Sequence, residues 1–160
     1  MLESPQFSNS GLRMVASGWR FSPILKILSG SYLTVTSGQD RALTSSGNQR
    51  ANQVLSNPFG DKTVSSYLNP AAFALPALGT LGNSPMGNIL GPGNWQFDMA
   101  MSRLFKVRER QNVEVRAEAF NLTNSFRMNN PITAFNNAVF GQVTSALDPR
   151  IMQFALKYIF

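Results

Sequence analysis

The most regular feature of the sequence is an alternation of apolar and polar residues with a period of two. This pattern is typical of β-strands that have one apolar and one polar face. The clearest case is the C-terminal segment, whose apolar positions are Met152, Phe154, Leu156, Tyr158 and Phe160. Two earlier segments alternate in the same way, one beginning near Trp95 and the other near Val113. The pattern therefore predicts strands over residues 94–107, 112–124 and 150–160.

The N-terminal part alternates less regularly, and it predicts two further strands over residues 11–21 and 25–36. Ser22-Pro23 is expected to separate them, because proline has no backbone N–H for a sheet hydrogen bond. The short charged segment 108–112 suits a tight hairpin between the strands on either side of it. The predicted fold class is all-β, with about five antiparallel strands.

The connections between these strands differ greatly in length. Those at Pro23 and Glu109 are short, whereas residues 38–93 and 125–149 are long loops rich in Asn, Gly, Ser and Pro. Short turns on one side and long loops on the other are typical of transmembrane β-barrels. If Phe160 ends on the periplasmic side, every short turn lies there and every long loop lies outside. We therefore predict an open, curved part of a large transmembrane β-barrel with long outer loops.

The charged residues agree with this interpretation. The chain has 14 Lys and Arg against 8 Asp and Glu, which gives a formal net charge of +6. Most strand charges fall on the polar phase of the alternation and are predicted to face the lumen: Asp98, Glu114, Arg116, Glu118 and Lys157. A basic residue facing lipid at the midplane would cost roughly 2–4 kcal/mol. Arg103 is the exception, since it falls in the apolar phase; it either reaches the membrane interface or is turned inward by a β-bulge.

The composition excludes most catalytic chemistry. The chain contains no Cys and no His, which excludes disulfides, thiol nucleophiles, Ser–His–Asp triads and the usual zinc sites. Glu114 and Glu118 would be roughly 13 Å apart along a strand, too far for a paired-carboxylate mechanism. We expect no enzyme activity and no catalytic, metal or cofactor site.

A basic hairpin could indicate a nucleic-acid partner. Its residues are Arg103, Lys106, Arg108 and Arg110, beside the aromatic Phe105. A hairpin held at the anionic boundary of a membrane accounts for the same residues, and the barrel pattern favours it. We therefore expect outer-membrane lipid as the partner and no nucleic acid.

Two long segments carry a family resemblance: GNWQFDMAMSRLFKVRERQNVEVRAEAFNLTNSF, from Gly93, and FGQVTSALDPRIMQFALKYIF, from Phe140. With GWRFSPILKILSGSYLTVTSGQD and YLNPAAFALPALGTLGN upstream, they resemble the C-terminal end of TonB-dependent outer-membrane receptors. The likeness is to the large Oar-like type, which carries a carboxypeptidase-regulatory-like N-terminal domain. The most specific parts are Arg116–Asn124, Asp148-Pro149-Arg150 and the terminal alternation.

This resemblance implies energy-coupled uptake of an unknown solute across a bacterial cell outer membrane. It also implies that Phe154, Leu156, Tyr158 and Phe160 form the signal read by the barrel-assembly machinery. Family members close about 22 strands around a plug, so we expect residues 1–160 to be a C-terminal barrel fragment, inactive alone. The expected origin is a gene fragment or a reading frame called from an internal methionine. TonB would act only through N-terminal parts that the fragment lacks.

Two other interpretations stay open. The chain could be a small soluble all-β module that binds carbohydrate or a surface, in which case its sheets would bury one face and solvate the other. It could also contribute about four strands to a barrel assembled from several copies. Dependence on detergent would separate the soluble module from the two membrane interpretations.

Overall fold

The alternating segments pair into one open sheet. In the computed structural model, which describes residues 2–160, the elements are, in chain order, β1 (Leu2–Glu3), α1 (Ser10–Ala16), β2 (Trp19–Leu28), β3 (Tyr32–Leu33), β4 (Asn52–Gln53), a short 3-10 helix (Pro70–Ala72), β5 (Phe73–Ala74), β6 (Ile89–Leu90), β7 (Asn94–Arg108), β8 (Gln111–Phe120) and β9 (Ile151–Ile159). Five of these strands form a mostly antiparallel sheet in the order β1-β2-β7-β8-β9. The sheet does not close, so the predicted fold class is confirmed.

The described residues divide into two units. The sheet unit contains the described residues up to Ile27, together with Trp95–Phe126 and Asp148–Phe160. The loop unit contains Leu28–Asn94 and Arg127–Leu147. Each unit is described separately below.

The apolar–polar alternation determines how β7, β8 and β9 pair. Ala117 of β8 lies opposite Met101 of β7 and opposite Phe154 of β9, and neighbouring pairs continue this register. Because directly opposed residues share a face, the apolar positions of all three strands lie together. A two-residue turn joins β7 to β8, and the register shifts between Lys106 and Arg108 just before it.

Strand β2 runs straight through the predicted break at Ser22-Pro23, and that prediction is wrong. Both backbone groups of Trp19 point toward the β1 side, where its N–H bonds to the Ser4 hydroxyl and its carbonyl accepts the Ser4 N–H. Pro23 has the same orientation as Trp19 because backbone directions alternate along a strand. Within the described residues, β1 pairs with β2 only as far as Phe21, so the missing N–H of Pro23 removes no sheet hydrogen bond there.

Residues 11–21 do not form the predicted strand; most of them form α1. The Asn9 side-chain oxygen accepts hydrogen bonds from the N–H groups of Gly11 (3.0 Å) and Leu12 (3.4 Å). Asparagine is among the preferred helix N-caps because it satisfies these first, otherwise unpaired donors. This local cap outweighs the weak alternation, so the helix forms and β2 begins only at Trp19.

The predicted strand over 25–36 is also interrupted. β2 ends at Leu28, and the chain then passes Gly30, which lies against the backbone of Gly91. A Cβ at Gly30 would lie 1.8 Å from the Gly91 carbonyl oxygen, so only glycine fits there. Tyr32–Leu33 then pairs with Ile89–Leu90 inside the loop unit instead of extending the sheet.

The long segments predicted as loops fold into a unit with its own hydrophobic core. The core residues are Val35, Ala51, Tyr67, Leu68, Ala72, Phe73, Ile89, Phe140 and Val143. Phe140 makes edge-to-face contacts with Phe73 and Phe135, at centroid distances of 5.6 and 5.1 Å. Backbone hydrogen bonds join the two segments, for example from Thr36 N–H to the Thr133 carbonyl. The two loops therefore stabilise each other.

Candidate functional site

One face of the sheet is apolar and exposed. This apolar face, defined by Met101, Val115, Phe154, Leu156 and Tyr158, follows from the pairing of β7, β8 and β9. Phe154 and Leu156 are each 75% exposed, and Tyr158 is 53% exposed. Phe160 follows the end of β9, is 92% exposed, and has its ring 6.0 Å from that of Tyr158. The four residues predicted to be the assembly signal thus form one apolar row.

The opposite, polar face carries a row of charges on β8. Arg116 lies between two carboxylates, 3.6 Å from Glu114 and 3.5 Å from Glu118. Lys157 of β9 lies directly opposite Glu114. Exposed pairs of this kind contribute only about 0–1 kcal/mol each to stability. Glu114, Arg116, Ala155 and Lys157 line a shallow depression of about 170 Å³, so these charges give the face its polarity and stay accessible.

Asp98, the fifth predicted lumen charge, lies on the same face but is nearly buried, with 6% exposure. Its carboxylate accepts hydrogen bonds from the Lys26 ammonium (2.9 Å), the Asn121 backbone N–H (2.9 Å) and the Gln96 side-chain amide. The buried carboxylate is therefore satisfied from three directions, as a buried charge requires. Asp98 links β2, β7 and the end of β8.

Strand β8 stops short of its predicted end at residue 124, and Asn121 is the first residue beyond it. Asn121 is 1% exposed, and its backbone has φ +50, a left-handed conformation that asparagine tolerates better than most residues. Its side-chain oxygen accepts hydrogen bonds from the backbone N–H and the hydroxyl of Ser125, both at 2.9 Å. Its amide donates to the carbonyls of Ser125 and Asp148. The side chain thus builds the turn that β8 runs into.

A second asparagine completes this strand-end cluster. Asn124 also has φ +50, and its side-chain oxygen accepts the Arg150 N–H at 3.0 Å, just before β9 begins. The Arg150 guanidinium donates to the Leu122 carbonyl. The motifs Arg116–Asn124 and Asp148-Pro149-Arg150 therefore meet in space. Sequence reasoning singled out both motifs but missed their contact; the available signal was the pair of Asn residues right after an alternating strand.

The structure also places Arg103. The β7–β8 register is unbroken there, with Arg103 opposite Val115, so the inward-turning bulge is wrong. Arg103 stays on the apolar face, 4.5 Å from the centre of the Phe105 ring and 5.6 Å from that of Trp19. One guanidinium N–H donates to the Val15 carbonyl of α1 at 2.9 Å, and the Trp19 indole donates to the same oxygen at 2.8 Å.

The loop unit has a polar groove of about 350 Å³, lined by Gln53, Val54, Leu55, Ser56, Asn83 and Pro85. Two asparagine side chains fix it: Asn83 donates its N–H to the Asn52 side chain (3.0 Å) and accepts the Gln53 N–H (2.7 Å). These hydrogen bonds connect the two segments that line the groove, which is shallow, open and rich in amide groups. The sequence pattern, which predicted only long loops here, did not locate this groove.

The loop unit also holds one notable carboxylate. Hydrogen bonds from the backbone N–H of Thr44, and to a smaller extent from Ser45 and Gln49, hold the pKa of Asp40 below its ordinary value of 3.8. The ionised form of Asp40 therefore organises the turn over residues 40–49.

Within residues 2–160, the structure brings together no group of three or more acidic, His or Cys residues that could hold a metal ion. In the same part of the chain, no helix is long and apolar enough to cross a membrane.

Comparison with known protein families gives a match over most of the chain. The sequence profile described as "Outer membrane beta barrel domain" matches residues 2–153. No curated protein and no solved structure matches the chain. The profile covers almost the whole sequence, and the open sheet with one apolar face agrees with it. The chain therefore belongs to the outer membrane beta barrel domain family and forms a segment of barrel wall.

Proposed function

We propose that this barrel-wall segment belongs to a TonB-dependent transporter in a bacterial outer membrane, where it serves energy-coupled uptake of a solute. The observation that carries the proposal is the two-faced sheet, exposed and apolar on one side and charged on the other. The resemblance of Arg116–Asn124 and Asp148-Pro149-Arg150 to TonB-dependent receptors supports the finer assignment. TonB itself would act through N-terminal parts of such a receptor.

In this proposal, each part of the chain has a separate role. The apolar face contacts lipid, and the row Phe154, Leu156, Tyr158 and Phe160 is read by the barrel-assembly machinery. The charges of the polar face line the lumen. The groove beside Asn83 offers amide donors and acceptors to a passing polar solute. None of these roles is enzymatic.

The exposure of the apolar face favours a membrane role over a soluble carbohydrate- or surface-binding module. A soluble sandwich buries one face of each sheet against a second layer. Here Phe154 and Leu156 are three-quarters exposed, and in water such a surface would promote association.

Adjacent single-cysteine variants test the proposal, since the natural chain has no Cys. Ala155→Cys lies on the polar face and Leu156→Cys on the apolar face. Both are introduced into the source bacterium, and labelling by a membrane-impermeant maleimide is followed in rich medium. We expect rapid labelling of Ala155→Cys, and little labelling of Leu156→Cys because lipid covers it.

Energy coupling is tested with the same cells. Removing TonB, or adding a protonophore, is expected to slow labelling of Ala155→Cys several-fold, because the lumen would open less often. Equal labelling rates with and without TonB would overturn the transporter proposal while leaving the barrel wall intact. Equal labelling of both cysteines would contradict the assignment of the two faces.

A further inference from the structure

We propose that Arg103, packed against Trp19 and Phe105 beside α1, binds the phosphate of an anionic phospholipid headgroup at the membrane interface. The inference rests on the barrel-wall assignment and concerns lipid recognition, which solute transport does not require. Its starting point is an arginine on a face that is otherwise apolar.

The position of Arg103 is that of an interface. Phe105, Val113 and Tyr158 form one register row at the hairpin end of the sheet. Trp19 packs edge-to-face on Phe105, at a centroid distance of 6.5 Å, and Phe160 lies beside Tyr158. Aromatic residues collect at the level of the lipid headgroups, because their rings are apolar and their edges polar. Arg103 lies one register row inside this aromatic cluster.

The charge of Arg103 is not neutralised by the protein. No carboxylate lies within ion-pair distance of it in the part of the chain that the structure describes. Of its five N–H donors, one bonds to the Val15 carbonyl, and no other acceptor within residues 2–160 takes the rest. The guanidinium also packs against the Phe105 and Trp19 rings, which limits its movement. A fixed guanidinium with free donors is suited to a phosphate, which it can bind through two parallel hydrogen bonds.

The surroundings favour an anionic lipid over a zwitterionic one. Three more basic residues without an ion-pair partner in the described chain belong to α1 or to the β7–β8 hairpin: Arg13, Arg108 and Arg110. Basic residues near a membrane surface attract anionic lipids by about 1 kcal/mol each. Helix α1 adds apolar contact, since Leu12, Met14 and Val15 are 54%, 73% and 70% exposed. Such a helix can rest among headgroups and acyl chains.

Tryptophan quenching by brominated lipids tests the site, because the chain has only Trp19 and Trp95. The full chain, carrying Trp95→Phe, is inserted into phosphatidylcholine vesicles that contain phosphatidylglycerol. Either the phosphatidylcholine or the phosphatidylglycerol is brominated, at equal mole fraction. We expect brominated phosphatidylglycerol to quench Trp19 at least twofold more than brominated phosphatidylcholine. In Arg103→Gln this preference should disappear.

Matched variants separate charge from structure. Lys157→Gln removes one positive charge from the polar face of the same sheet and should keep the preference. Arg103→Lys keeps the charge without the planar pair of donors, and should restore the preference only in part. Equal quenching of Trp19 by both lipids in the parent chain would overturn the proposal, as would a preference unchanged in Arg103→Gln.

The companion variant Trp19→Phe reports from Trp95, at the opposite end of β7, and tests insertion independently. Quenching of Trp95 by either lipid shows that the wall is inserted, so a Trp19 signal without preference then refutes the lipid site alone. If neither tryptophan is quenched, the proposed contact of the apolar face with lipid fails, and the lipid site with it. A Trp95 signal that is the same in Arg103→Gln and the parent shows that the variant has folded.

Discussion

The apolar face predicts a large and position-specific cost for introducing charge at Phe154. β9 spans Ile151–Ile159, and at about 3.4 Å per residue and a tilt near 40° it rises about 20 Å across the bilayer. Phe154 is one residue from the centre of the strand, on the side away from Tyr158, and within about 3 Å of the midplane on this geometry. A Phe154→Arg substitution should therefore cost about 2–4 kcal/mol of folding free energy in lipid.

In water, the same substitution should cost much less folding free energy. Phe154 is 75% exposed, and substitutions at exposed sites away from special features usually change stability by less than about 0.5 kcal/mol. Lipid therefore accounts for nearly all of the expected cost. It corresponds to a roughly 30- to 1,000-fold fall in the folded-to-unfolded ratio.

Equilibrium unfolding by guanidinium in phospholipid vesicles, followed by tryptophan fluorescence, measures this cost. Gln153→Arg is the matched control: it introduces the same side chain on the polar face, opposite Glu118. We expect Gln153→Arg to stay close to the parent. If Phe154→Arg and Gln153→Arg have the same stability, the apolar face does not contact lipid and the reasoning is refuted.

Three further predictions concern the loop unit. Leu68→Ala removes a side chain that is 1% exposed and should destabilise this unit by about 2–5 kcal/mol, whereas Leu78→Ala, at a site 65% exposed, should change its stability little. Amide hydrogen exchange measures both variants. Similar protection in the two would contradict the core assignment. Gly30→Ala should cost about 1–3 kcal/mol through the backbone clash, while Gly47→Ala, with nothing within 4 Å of the new Cβ, should be tolerated; comparing the thermal onset of proteolysis tests this, and equal onsets would refute it. The turn at Asp40 should be stable above pH 3.8, the ordinary pKa, and loosen as pH falls through the lower folded pKa. Hydrogen exchange of the Thr44 amide, measured against pH, checks this sign, and Asp40→Asn should loosen the turn already at neutral pH. An amide equally protected on both sides of that pH range would contradict the prediction.

The strands β7, β8 and β9 could be predicted because each has one apolar and one polar face, and this difference is visible in its own sequence. Alternation in one segment is enough to assign both faces, and the pairing then follows from the short hairpin. It assigns Phe154 and Leu156 to the apolar face, and Glu114 and Arg116 to the polar face, from the sequence alone. The face on which a residue lies follows from its position along the strand, so it can be read from the local sequence.

The N-terminal part could not be predicted, because its structure depends on contacts that lie outside the local alternation pattern. Whether Pro23 breaks a strand depends on which edge its nitrogen faces, and that edge is defined by β1, a partner distant in sequence. Whether residues 11–16 are helix or strand depends on the Asn9 cap, a single side chain outside the alternating segment. In both cases a short-range rule is outweighed by one contact.

The composition of the loop unit did not reveal that its two segments fold around a common core. A segment rich in Asn, Gly and Ser favours disorder when it lacks apolar residues to bury, yet Val35, Leu68 and Phe140 come from separate stretches and meet in one core. Many of its polar and glycine residues form turns and hydrogen bonds within the unit. Gly38 and Gly141 have positive φ values of 68 and 77, in the left-handed region where glycine is unstrained.

The asparagines of the strand-end cluster and of the loop unit act in the same physical way. Asn121 and Asn124 turn the chain at φ +50 and bond the start of β9, while Asn52 and Asn83 close the groove. An amide side chain both donates and accepts, so it can replace the backbone partners that a turning chain has lost. In the proposed transporter, a solute-binding surface held by such hydrogen bonds would lose less conformational entropy on binding than a flexible loop would.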